Sequence, residues 1–128
     1  MSPSKIKISA ETAYAHEQSD PLNDQFVFFY SITIANFSDK PCQLLSRHWI
    51  ITNARQEVEE IYGEGVVGEQ PVINAGEVYN YSSGAVITSE IGTMEGRYFM
   101  RWLDKNMDEV DFEVDIPRFV LSVPRVLH

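Results

Sequence analysis

A period-two alternation of apolar and polar side chains runs through almost every patterned segment of this chain, and it points to β-structure throughout. Successive residues of a strand face opposite sides, so one side can pack while the other meets water. Val110, Phe112, Val114 and Ile116 alternate with Asp111, Glu113 and Asp115. Phe26, Phe28, Tyr30, Ile32 and Ile34 form a second apolar set, with Ser31 and Thr33 opposite. Ile6 and Ile8 face away from Lys5 and Lys7 in a first strand over Lys5–Tyr14. Further strands are expected over Cys42–Thr52, with Trp49 and Ile51 on one side, and over Gln56–Tyr62, Val78–Ser83 and Gly96–Leu103. The last strand covers Val110–Ile116, where Pro117 stops it and Phe119-Val120-Leu121 follows as an apolar tail docked on the fold. The segments His16–Gln25, Asn36–Pro41, Gly63–Pro71, Asn74–Glu77, Gly84–Glu95 and Asp104–Asp108 read as loops or turns.

No segment carries a capped helical stripe. Parallel strands need long, usually helical crossovers, so the pairing is expected to be antiparallel. About seven such strands predict an all-β chain folded as an immunoglobulin/fibronectin-III-like β-sandwich. Two aromatic residues suit that class: Trp49, midway along the third strand, and Tyr98, placed after Gly96 like a tyrosine corner.

The 128 residues form one domain, 1–128, long enough to bury a core without staples. Nineteen acidic against ten basic residues leave a net charge of −9, and no basic run interrupts the chain. Duplex nucleic acid is excluded as a partner, because affinity for it comes mainly from Lys and Arg neutralising phosphates. The acidity serves solubility, or it suits a basic partner surface. Cys42 is the single cysteine, which excludes an intrachain disulfide and any multi-cysteine zinc site. No h-region follows Met1-Ser2-Pro3-Ser4-Lys5, and no apolar run is long enough to span a bilayer. A cytoplasmic protein without membrane association is expected, as a monomer or weak homodimer.

Three constellations bear on function. Gly63-x-Gly65-x-x-Gly68 matches a dinucleotide fingerprint as a string, but Glu69-Gln70-Pro71 follows where the mechanism needs a helix N-terminus. Glu64 and Glu69 would also repel phosphate, so a glycine loop or bulge is the simpler reading. Asp104-x-Asn106-x-Asp108 opens like a calcium loop, yet Glu109 stands where the sharp turn requires Gly. A weakly held divalent cation is the one cofactor left room for there, and the metal ligands are not specified. If loops alternate between the two ends of a sandwich, Asp39, Glu64, Glu69, Asp104, Asp108 and Glu109 gather at one end. Catalysis finds little support: Cys42 and His48 share strand parity but lie roughly 20 Å apart, beyond nucleophile–base reach. His48 reads as a packed or hydrogen-bonded strand residue, and no catalytic residue is assigned.

Five blocks in order resemble one family across the whole chain: Leu45-Ser46-Arg47-His48-Trp49-Ile50-Ile51-Thr52, Gly63-Glu64-Gly65-Val66-Val67-Gly68-Glu69-Gln70-Pro71, Gly76-Glu77-Val78-Tyr79-Asn80-Tyr81-Ser82-Ser83, Gly92-Thr93-Met94-Glu95-Gly96-Arg97-Tyr98-Phe99-Met100 and Ile116-Pro117-Arg118-Phe119. The chain resembles the ApaG family. The resemblance implies a fibronectin-type-III-like domain and a bacterial origin, beside a gene for a diadenosine-tetraphosphate hydrolase. It also implies an interaction role, as in similar domains of a eukaryotic F-box protein and a DNA-polymerase-interacting protein, and a connection with cobalt and magnesium handling. It carries over no catalytic residue. The resulting expectation is a non-enzymatic module that contacts an unknown protein partner through loops or a sheet edge, with Gly63, Glu64, Gly65, Gly68, Glu69, Asp104 and Asp108 as binding residues. The alternative is a small-ligand or divalent-cation-linked sensor, in magnesium and cobalt homeostasis or diadenosine polyphosphate metabolism.

Overall fold

The computed structural model describes residues 3–104 and 110–124. Asp108 and Glu109, and with them most of the expected cation turn, lie outside the described residues, as does His128. Eight strands follow one another: β1 (Ile6–Tyr14), β2 (Phe26–Asn36), β3 (Cys42–Asn53), β4 (Val58–Glu64), the two-residue β5 (Val72–Ile73), β6 (Val78–Ile87), β7 (Ile91–Trp102) and β8 (Val110–Ser122). The 16–25 loop holds two short 3-10 turns. All the pairings between strands are antiparallel, and they build two sheets, β1-β2-β6 and β4-β3-β7-β8, with β5 set against the start of β3. This is an antiparallel β-sandwich.

The alternating sets pack as read except at the start of β8, where Val110 is exposed. Phe26, Phe28, Tyr30, Ile32 and Ile34 are all buried on the inner face of β2. Trp49 and Ile51 of β3, Val114 and Ile116 of β8, and Met94, Tyr98, Met100 and Trp102 of β7 meet them from the other sheet. Each fully buried aliphatic side chain contributes on the order of 1.5–3 kcal/mol through water released from its surface. Tyr30, Tyr98 and Phe119 surround the Trp49 indole, with ring centroids 5.4, 6.3 and 5.9 Å away. Phe112 instead stacks on Trp102 at 4.3 Å.

Four expectations are corrected. Gly84–Glu95 is not one loop: β6 continues to Ile87 and β7 begins at Ile91. Gly84 hid the continuation because glycine is a weak strand former. Here Gly84 lies opposite Phe29, whose ring stands beside it at ordinary contact distance from where a Cβ would be. Pro117 does not end the last strand. The β7–β8 register shifts between Met94 and Gly96, so Glu95 faces an irregular stretch holding Pro117 and Arg118. A proline without an N–H is tolerated at such a bulge on an edge strand. Glu95 accepts a hydrogen bond from Arg118 Nε at 2.9 Å across it, and beyond it Leu121 is fully buried as part of β8. Tyr98 is no tyrosine corner, for it stands inside β7, and its hydroxyl meets that of Tyr81 across the sandwich rather than a backbone carbonyl. Cys42 and His48 do not share a face. A bulge at Leu45 flips the parity of β3, leaving Cys42 in the core and His48 outside.

The end of the sandwich where β2 leads into β3 is organised by Asn36, buried in the core. Its Nδ2 donates to the carbonyls of Lys40 (2.8 Å) and Ile73 (3.0 Å), and its Oδ1 accepts from the Ser38 N–H (3.0 Å) and hydroxyl (2.6 Å). Cys42 lies beside it, and burial pushes its thiol up from the usual 9.0 to about 11. Below pH 9.0 the folded and unfolded chains both keep that proton, and the raised value costs nothing. Between 9.0 and about 11 the unfolded chain alone loses it, so this contribution to stability falls as pH rises. Urea unfolding of the protein and of Cys42→Ala from pH 8 to 11 should show a steeper decline for the cysteine-bearing chain. Parallel pH profiles would show that the thiol does not contribute.

Candidate functional site

The two flanks of the sandwich differ. On one, β1 lies against β8, and the Thr12 hydroxyl donates to the Val120 carbonyl at 3.4 Å. On the other, β6 pairs as a strand with β2 alone and β4 with β3 alone, and among the described residues no hydrogen bond joins β4 to β6. A cleft of about 470 Å³ opens there between the sheets, roofed by the Val66–Gly68 turn of the glycine loop. Its walls are mixed, with apolar and aromatic contributions from Tyr30, Trp49, Ile51, Ile61, Val66 and Met94. Val67 and Val86 are exposed at its rim, and Val58 lines a neighbouring hollow with Val86.

Polar residues line this cleft as well, among them Arg47, Glu59, Glu64 and Tyr81. Past the Leu45 bulge, Arg47 has the inward parity of Trp49 and Ile51 and lies across from Tyr98. Arg47 Nη1 donates to the carbonyls of Glu64 (3.0 Å) and Gly65 (2.8 Å), pinning the glycine loop to β3. Gly63 faces the guanidinium, and any Cβ there would fall 2.7 Å from it. Glu59 of β4 lines the opposite part of the cleft. The Tyr81 and Tyr98 hydroxyls share a hydrogen bond behind Arg47, and burial raises both above the ordinary tyrosine value while the Arg47 charge works against that rise. Trp49 Nε1 is buried and finds no acceptor.

The glycine loop closes on itself. Gly65 has a positive φ of 61°, and its N–H donates to the Leu45 carbonyl at 2.8 Å. Val66 and Glu69 exchange amide hydrogen bonds of 2.8 and 3.0 Å, so three loop amides already have carbonyl partners. No helix follows Gly68; the chain runs through Gln70 and Pro71 into β5. Glu69 accepts from the Tyr79 hydroxyl at 3.3 Å. The Ser38–Asp39 turn, the glycine loop and the start of the connection after β7 all lie at the end where β3 begins. Lys40 reaches Asp104 at 3.3 Å, so one carboxylate of that end is neutralised in place. Among the described residues no three His, Cys, Asp or Glu side chains come together as a metal site would need. His48 stacks on Tyr62 at 4.0 Å and meets Glu60 Oε1 at 3.0 Å, on the outer face.

Sequence reasoning passed over Arg47, Glu59 and Tyr81. The signal existed for Arg47, an arginine two residues before Trp49, on the apolar parity of its strand.

The ApaG domain profile matches residues 16–102. Protein ApaG of Thiobacillus denitrificans is 52% identical over 124 residues, covering 97% of this chain and 94% of its own. Protein ApaG of Escherichia coli O1:K1 is 46% identical over 124 residues, covering 97% and 96%. A crystal structure of the putative ApaA protein from Bordetella pertussis superposes with a TM-score of 0.87 at 42% identity, over 94% of this chain and 95% of that one. No described helix is long and apolar enough to cross a membrane.

Proposed function

The chain belongs to the ApaG family, and on that premise we propose that it is a binding module that takes an extended segment of a partner protein along its open flank. The carrying observation is the composition of β6. Sheet edges invite pairing with other chains, and proteins blunt them with charge, proline or cover. β1 carries Lys7 and Glu11 and lies against β8; β4 carries Glu59, Glu60 and Glu64; β8 is charged and holds Pro117. β6 is ten residues without a charged side chain or a proline, and its outer edge has no partner strand among the described residues. An added strand would find backbone hydrogen bonds along β6 and places for alternate side chains in the cleft and on the Val67 and Val86 rim.

Random peptides selected on the immobilised protein test this. Bound peptides should protect the amides of Val78–Ile87 from hydrogen exchange, and Val86→Lys should weaken them about tenfold or more by placing a charge on the apolar rim. Protection confined to β1, β8 or the 37–41 turn would overturn the proposal.

A further inference from the structure

We infer that the inter-sheet cleft is a carboxylate-recognition site, in which the Arg47 guanidinium and the Trp49 indole N–H receive an acidic group carried on an apolar stem. The inference rests on the open flank being the binding side, and it names what the partner segment must bring there.

Arg47 stands apart from the other described arginines. Arg55, Arg97, Arg101 and Arg118 each pair with a carboxylate, on Glu57, Glu113, Asp111 and Glu95. Arg47 does not, in a chain with 19 acidic residues. Its protein partners are two backbone carbonyls, and both are held by Nη1. A guanidinium has five N–H donors in a planar fork, so Nη2 and Nε remain for a ligand. Those two carbonyls and the space left by Gly63 hold the fork in place before anything binds. That removes part of the ordering cost of association.

Trp49 supplies the second, independent observation. Its indole is 2% exposed and its N–H has no acceptor, although buried donors are almost always satisfied. It lines the same cleft as Arg47. One planar anion with two acceptor oxygens suits this donor set.

The surroundings select among anions. Tyr30, Ile51, Ile61, Val66 and Met94 offer an apolar body its contacts. Glu59 and Glu64 line the cleft and the net charge is −9, so a multiply charged phosphate meets more repulsion than a single carboxylate does. Arginine pairs with carboxylate through two parallel hydrogen bonds, which gives direction as well as charge. In a partner segment the group is an Asp, a Glu or a chain terminus next to an apolar residue.

The test is an NMR titration of the ¹⁵N-labelled protein with 4-phenylbutyrate, its uncharged amide, and pyrophosphate. The chain has two tryptophans, so two indole N–H signals are resolved, and Trp49→Phe assigns them. The carboxylate should shift the Trp49 indole signal saturably, with the amide about tenfold weaker or worse, and Arg47→Met should remove the response. Acid against amide on the unaltered protein decides the matter without any variant. Equal binding of acid and amide, tighter binding of pyrophosphate, or an unchanged response in Arg47→Met would overturn the inference. Amide protection along Val78–Ile87 reads the edge-strand pairing and the Trp49 indole signal reads the carboxylate, so failure of the edge-strand reading and failure of this one are seen separately.

Discussion

Trp49→Ala is expected to lower the unfolding free energy by about 3–5 kcal/mol, as deletion of a large core aromatic does. The indole stands between the sheets, edge-on to Tyr30, Tyr98 and Phe119, and its removal leaves a cavity that rigid strands on both sides cannot close. Its N–H lacks an acceptor, so Trp49→Phe discards an unsatisfied donor along with part of the ring and should cost markedly less than alanine. Urea unfolding followed by circular dichroism measures both. Equal losses for the two variants, or a loss below about 1 kcal/mol for alanine, would show that the ring does not hold the sheets together.

The second large effect is expected at Gly96. A Cβ on this residue would lie 2.0 Å from the His48 carbonyl oxygen and 3.2 Å from Trp49 Cα, both backbone atoms of the neighbouring strand. Neither can rotate aside, so β7 must separate from β3 next to the central tryptophan. Gly96→Ala should therefore cost about 3 kcal/mol or more, at or beyond the upper end of ordinary overpacking. Gly84→Ala is the control: the added methyl meets the Phe28 carbonyl and the Phe29 ring at 3.5 and 3.6 Å, ordinary contact distances. It should stay within about 1 kcal/mol of the parent. Similar losses at both positions would mean that strand propensity, rather than the close approach, sets the cost.

Much of the fold was legible from periodicity alone. The inner face of β2, and Val114 and Ile116 of β8, can be written from the sequence, because a strand's side-chain period is two whatever its neighbours are. The errors fall where a strand's behaviour depends on its partner. The bulges at Leu45 in β3 and at Pro117–Arg118 in β8 exist because facing strands differ locally in length, and each changes which residues face inward. Hence Cys42 and His48 were assigned one face, and Pro117 was read as a stop. Gly84 looked like a breaker because the ring that stands beside it belongs to another strand.

The candidate site divides in the same way. The glycine string, the acidic turns and the absence of charge in Val78–Ile87 can all be read along the chain, as can the arginine on the apolar parity of β3. Periodicity and composition, which belong to the chain alone, were enough for the strands' approximate positions, most of their inner faces and the acidic balance. Only the tertiary structure decided that β6 is an edge while β2, equally poor in charge, is central, since strand order is a property of pairing. It also decided that one flank closes through β1 and β8 while the other stays open. And it brought Arg47, unpaired with any carboxylate, and Trp49, whose N–H has no acceptor, to the lining of one cleft. Such a relation between groups arises when two sheets pack face to face but join along one flank alone.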